Sequence, residues 1–133
     1  MELFEEIAAA REGRGDPGRL LGEFRRAAVL VPVVDGGLRS GNVSGIRWIY
    51  AFTDESALAR FAHARGSGDA EWEYLSILGA RLLDAVIPSL DGPTGIAVNV
   101  ADEDGSMMFP PVSGIVPDSV AVDLAAGRGE VAP

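Results

Sequence analysis

Apolar residues recur along this chain with two periods, and the switches between them mark out alternating helices and strands. Leu3, Phe4, Ile7 and Ala8 have the i, i+1, i+4, i+5 spacing of one helical face, and the run ends in the REGRG cluster. Asp16 followed by Pro17 reads as an N-cap carboxylate with proline in the first turn. Leu20, Leu21 and Phe24 then line one side of a second helix that ends near Ala27. The run AVLVPV, from Ala28 to Val33, is short and β-branched and predicts a strand, with Pro32 pointing to an edge or a strand end. Asp35-Gly36-Gly37 is turn chemistry, and the glycine-rich stretch to Gly45 reads as a long hairpin loop. In IRWIYAFT strict alternation puts Ile46, Trp48, Tyr50 and Phe52 on one face and Arg47, Ile49, Ala51 and Thr53 on the other.

The second half continues the alternation. Thr53 or Asp54 caps a helix, DESALARFAHAR, whose buried stripe is Leu58, Phe61 and Ala62. WEYLSILG predicts a strand. GARLLDAVIPSL carries Leu83, Val86, Ile87 and Leu90 at i, i+3, i+4, i+7 and is stopped or kinked by Pro88. GIAVNV is a further strand, joined through the polar Asp102–Gly105 to SMMF as a second hairpin, and PPVSGIVPDSVAVDLAAG wraps back before a loose tail over 125–133. The expected fold is α+β: a mixed or largely antiparallel sheet of about five strands with three to four helices packed on it as one layer pair. It forms a single domain over 1–133, with residues 1–15 as an N-terminal helix and loop.

Composition supports a packed core. The 133 residues are 47% hydrophobic and 23% charged, enough for one domain and far from the regime of disorder. The absence of cysteine excludes disulfides, thiolate metal sites and a cysteine nucleophile. An acidic start and the lack of a long apolar run argue against a secretory signal or a membrane span, so a cytoplasmic location is expected. The net charge of -9 is uneven: residues 1 to 66 balance nine Arg against nine acids, whereas 67 to 133 set two Arg against eleven. The acidic half disfavours nucleic acid and suits another protein with a basic surface. Homo-oligomerisation is compatible with the sequence.

Few residues of the chain carry the patterns that catalysis or metal binding needs. The one histidine, His63, sits mid-helix beside Phe61, without a partner for general-base work or a metal site. Asp102-Glu103-Asp104-Gly105 begins like a calcium loop, but Ser113 stands where the closing glutamate belongs, so a solvated turn is expected. No lysine is present, which rules out a P-loop, and none of the serines lies in a GxSxG elbow. Glu71 and Glu73 share one strand face and read as solvated. No catalytic, cofactor-binding or metal-binding residue is assigned. The candidate partner surface comprises Trp72, the apolar Met107, Met108 and Phe109, and the acidic Asp102, Glu103 and Asp104. Trp48 is expected in the core.

Three segments in order, AVLVPV, YAFTDESALARFA and GIAVNV, together resemble the SseB N-terminal domain family over about Leu20 to Val122. Phe52-Thr53 stands at the family's Phe-Thr step and Asn99 at its Asn, although Val100 replaces the common proline. GARLLD and MMFPPVSGIVPD resemble an actinobacterial subset associated with type VII secretion. The resemblance implies an α+β fold, no enzymatic activity, and an accessory role. The expected function is therefore a non-enzymatic protein-interaction domain. The alternative is a small-ligand sensor for an amino acid or nucleotide, with its cleft between the sheet and the helix that begins at Asp54.

Overall fold

A computed structural model describes residues 3–66, 72–102 and 105–123. Helix α1 (Leu3–Arg11) and helix α2 (Pro17–Arg26) come first, the latter capped by the Asp16 carboxylate, which accepts from the Arg19 N–H at 3.1 Å. The strands β1 (Ala28–Val34), β2 (Gly37–Leu38), β3 (Ser40–Val43) and β4 (Ile46–Ala51) follow, then helix α3 (Glu55–Ala64). After β5 (Tyr74–Leu78) the chain turns through a single helical turn, α4 (Gly79–Arg81), a π turn (Leu82–Val86) and a 3-10 turn (Ile87–Ser89). Strands β6 (Thr94–Val98) and β7 (Met107–Phe109) and a 3-10 turn at Asp118–Val120 complete the order.

The chain is α+β, as expected, with its strands in two sheets ordered β2-β1-β5 and β3-β4-β6-β7. Only β4–β6 is parallel, with Trp48 opposite Gly95 and Tyr50 opposite Ala97. The other pairings are antiparallel.

Pro32 explains how the two sheets meet. It is no edge residue: β1 pairs with β5 through Pro32 itself, opposite Tyr74, and its other side faces the hairpin. The Pro32 carbonyl accepts the Arg39 N–H at 2.8 Å, but the ring has no N–H to return to Arg39. The unclaimed Arg39 carbonyl instead accepts from Tyr50 N–H at 3.1 Å. One residue of the hairpin thereby bonds both sheets, separating β2, which belongs to β1, from β3, which belongs to β4. Two residues earlier on β1, Leu30 and Phe52 exchange both backbone hydrogen bonds at 2.8 Å.

Alternation on β4 buries one face fully, through Ile49 and Ala51, and leaves Trp48 and Tyr50 on the other half-buried. Ile49 and Ala51 join Val29, Val31, Ile96 and Val98 in the main core, closed by Leu3 and Ile7 of α1, Leu20 and Phe24 of α2, and Leu82, Leu83 and Ile87. Phe52, on the opposite face, packs with Ala57, Leu58 and Phe61 of α3, whose start is capped by Asp54 accepting from Ala57 N–H at 2.8 Å. The expected stripe on α3 is thus the buried one. On α1 the buried face is rotated: Phe4 is exposed, while Glu6 is buried beside Ile7.

Glu6 is 1% exposed and its Oε2 has no hydrogen-bond partner. An unsatisfied buried oxygen costs on the order of 1–3 kcal/mol. Glu6→Met keeps the length and helix preference and should raise stability by about 1 kcal/mol in urea titration. A loss of stability instead would show that Glu6 has a role that packing does not account for.

Folding also redistributes the charge. Arg25 reaches Asp84 through two bonds of 3.1 and 2.6 Å, and Arg60 reaches Asp102 through two of 2.6 and 2.8 Å. Two carboxylates of the acidic half are therefore matched by guanidinium groups of the balanced half, and the deficit read from the sequence is not one continuous surface. The hydrogen bond from Arg25 holds the Asp84 carboxyl below its ordinary value. A lowered folded pKa stabilises above the unfolded value of about 4 and is lost as pH falls through the folded one. Both side chains are more than a third exposed, so the pair is worth less than about 1 kcal/mol. Asp84→Asn should lower the neutral-pH melting temperature slightly, and thermal melts in acid should show the difference disappear.

Candidate functional site

The four-stranded sheet is covered unevenly, and that unevenness creates the site. On the face that carries α3, pairing brings Gly41 and Val43 of β3, Trp48 and Tyr50 of β4, Gly95 and Ala97 of β6 and Met108 of β7 to one side. Helix α3 reaches Tyr50 and Phe52, leaving the rest as an open groove of about 280 Å³ lined by Val43, Trp48, Tyr50, Ala97 and Met108, with Arg65 at one end. Glycine makes room for the rings. A Cβ at Gly95 would fall 2.7 Å from Trp48 Cζ3 and 2.6 Å from the Phe109 carbonyl oxygen, and one at Gly41 would meet the Tyr50 hydroxyl. Trp48 is therefore half-buried in a sheet face rather than enclosed in the core, contrary to expectation.

Met108 lies between this groove and a second. On the other side of β7, a groove of about 320 Å³ is lined by Pro17, Leu20 and Leu21 of the α2 region, Met107, Met108 and Ile115. Met108 itself is 46% exposed. Strand alternation turns its neighbours inward: Phe109 is buried and stacks on Phe24 with ring centroids 4.6 Å apart, and Met107 packs against the main core. The expected patch Met107–Phe109 thus presents one exposed side chain and two that build the walls.

Arg65 gives the first groove its charge. Its guanidinium lies 4.6 Å from the Phe61 centroid and 5.4 Å from that of Tyr50, and donates to the Tyr50 hydroxyl at 3.0 Å. Among the described residues no carboxylate pairs with it. Trp72 stands at the far side of the same aromatic group, edge-on to Phe61 at 5.8 Å and beneath Arg39 at 4.1 Å. It is half-buried and caps the α3 packing rather than lining the groove. Asp102 is held by Arg60 with its side chain only 13% exposed, so it braces the loop against α3. Glu103 and Asp104 lie outside the described residues, as does Glu71.

Asn99 fixes the loop that carries these groups. It is buried, has φ of 50°, and follows β6, where the chain must turn away from the sheet. Its Oδ1 accepts from Thr53 N–H at 3.0 Å, and its Nδ2 donates to Thr53 Oγ1 at 3.0 Å and to the Gly105 carbonyl at 3.4 Å. One side chain thereby joins the end of β4, the start of α3 and the approach to β7.

The cleft expected at the start of α3 is present as a depression of about 330 Å³ lined by Leu3, Phe4, Arg26, Val29, Thr53 and Asp54. Asp54 occupies the first-turn N–H of Ala57, and Arg26 is paired with Glu23, so neither is left to receive an anion there. His63 is exposed on α3. Among the described residues no helix is long and apolar enough to cross a membrane. No protein-family model, no curated protein and no solved structure matches this chain.

Proposed function

We propose that the chain is a non-enzymatic, protein-binding accessory domain acting inside the cell, and that Met108, with a groove on either side of β7, is the centre of its binding surface. The observation that carries this reading is the pairing of two apolar grooves around one exposed methionine. Methionine adapts to varied partners, and flanking aromatic walls give a partner side chain area to bury. The occupant is a polypeptide segment that lays apolar side chains into both grooves and sets a carboxylate against Arg65. An acidic partner suits this surface better than the basic one that the composition favours, because Asp102 is already neutralised by Arg60. The segments AVLVPV, YAFTDESALARFA and GIAVNV, which become β1, the β4–α3 step and β6, support placing it with the SseB-like accessory domains, including those associated with type VII secretion.

Comparative affinity capture from an extract of the source cells tests this, using the wild-type chain and Met108→Glu as baits. Polypeptides retained by the wild type and lost by the variant, with unchanged melting temperature, are the expected result. Recovery of the same polypeptides by both baits would place the binding surface elsewhere.

A further inference from the structure

In the three-stranded sheet, β5 forms an outer strand with a self-complementary edge. Among the described residues no strand pairs with its other side. Val33 N–H donates to the Glu73 carbonyl at 3.0 Å and Gly79 N–H to the Ala27 carbonyl at 2.9 Å, so the odd-numbered residues of β5 bond inward to β1. By the antiparallel alternation, Tyr74, Ser76 and Leu78 turn their backbone N–H and C=O groups outward. The strand has none of the usual devices that blunt an edge: YLSIL contains no charge, no proline and no bulge. Its side chains are unusually open for apolar residues, with Leu75 at 50% and Leu78 at 52% exposure.

We infer that β5 pairs antiparallel with β5 of a second copy of this chain, about a two-fold axis through Ser76. In that register Ser76 faces Ser76, Tyr74 faces Leu78 and Leu75 faces Ile77 of the second copy. All three outward-facing residues of each strand then exchange both of their hydrogen bonds. The side chains match as well as the backbones. Small serines meet at the axis, and Leu75 and Ile77 of both copies form one apolar row that continues the Val29–Val31 face of β1. No like charges are brought together, since Glu73 falls opposite Gly79 of the second copy. A foreign strand has to match this spacing by chance, whereas a second copy matches it by symmetry. Five paired residues without further contacts bury less than the roughly 1,200 Å² of a standard interface, so the dimer is a reversible one of micromolar strength or weaker. Because β5 and β7 are outer strands of different sheets, pairing through β5 leaves the Met108 grooves of each copy open and presents two such surfaces per dimer.

Sedimentation equilibrium of the full chain from low micromolar to near millimolar concentration tests the inference. The expected mass rises with concentration from one copy towards two. Ser76→Lys, which sets two ammonium groups against each other at the axis, should shift the association at least tenfold to higher concentration. Ser76→Pro removes only an outward N–H and should act likewise, and if it fails to fold, the lysine variant decides. Because the chain has no cysteine, Ser76→Cys can form only a symmetric disulfide. Mild oxidation should cross-link it far faster than an exposed control, Ser89→Cys. A wild type that remains a single copy at the highest concentration, or a dimer that both Ser76→Lys and Ser76→Pro leave intact, would overturn the pairing.

Discussion

Gly79→Ala is expected to remove a large share of the chain's folding stability. Gly79 links β5 to the turn that packs under α2, and its N–H donates to the Ala27 carbonyl at 2.9 Å. A Cβ there would stand 2.0 Å from the Phe24 carbonyl oxygen and 2.7 Å from its carbon. Neither atom is the end of a flexible side chain. Relieving the clash means separating β5 from the C-terminal end of α2, which exposes Phe24 and the wall of Leu82 and Leu83. The cost should exceed about 4 kcal/mol, a large share of the roughly 5–15 kcal/mol that holds a domain together. Urea denaturation followed by tryptophan fluorescence checks this. A midpoint close to wild type would mean that the contact between β5 and α2 is looser than described.

Asn99→Ala should be the next most damaging single change. It removes three hydrogen bonds and leaves the partly buried N–H of Thr53 without its partner, while forcing a β-carbon residue without polar compensation to hold φ of 50°. These add to a loss of about 3 kcal/mol. Asn99→Gly separates the two causes: glycine accepts the left-handed backbone but makes none of the bonds, so it should recover about 1 kcal/mol of the loss. Equal destabilisation by both variants would show that the hydrogen bonds alone matter. The consequence for the binding surface is direct, because Asn99 ties the approach to β7 to the start of α3 and so sets where Met108 stands relative to Arg65.

Much of the architecture can be read from the sequence where local chemistry decides it. Asp16-Pro17 and Asp54 mark helix starts because a carboxylate cap acts within three residues. The alternation in IRWIYAFT marks a strand because one-sided burial imposes a period of two, and the short apolar run in GIAVNV marks one because β6 is buried on both faces. What could not be read depends on partners distant along the chain. Pro32 looks like an edge residue until Tyr50 is seen to take the carbonyl that proline leaves unclaimed. The apolar repeat from Leu83 to Leu90 is helical, as its spacing says, and the winding runs without a break from Gly79 to Ser89 before stopping just after Pro88, but the spacing does not show that it loosens to a π turn over Leu82–Val86 and tightens to a 3-10 turn over Ile87–Ser89. Phe4 and Ala8 fit a helical stripe with Leu3 and Ile7, but the face that meets the main core is rotated so that Glu6 is buried and Phe4 is exposed.

The binding surface was legible in part for the same reason. Met107, Met108 and Phe109 stand out as an apolar run beside two prolines, and strand alternation then sorts them into one exposed residue and two wall residues. Trp48 and Arg65 carry no local sign of a groove. Trp48 stays half-exposed because α3 ends short of it, and Arg65 belongs to the site because the C-terminal end of α3 lies over Tyr50. The acidity of the second half misleads in the opposite direction, since Asp84 and Asp102 are matched by Arg25 and Arg60 only after folding.

Selection from a display library of random peptides tests the central claim most directly. The grooves beside β7 predict enrichment of extended segments that carry apolar residues to both sides of Met108 and an acidic residue for Arg65, with affinity falling at least tenfold in Met108→Glu and less in Arg65→Ala. Failure to enrich any peptide, or enrichment of the same peptides by the folded Met108→Glu variant, would contradict a binding surface centred on Met108.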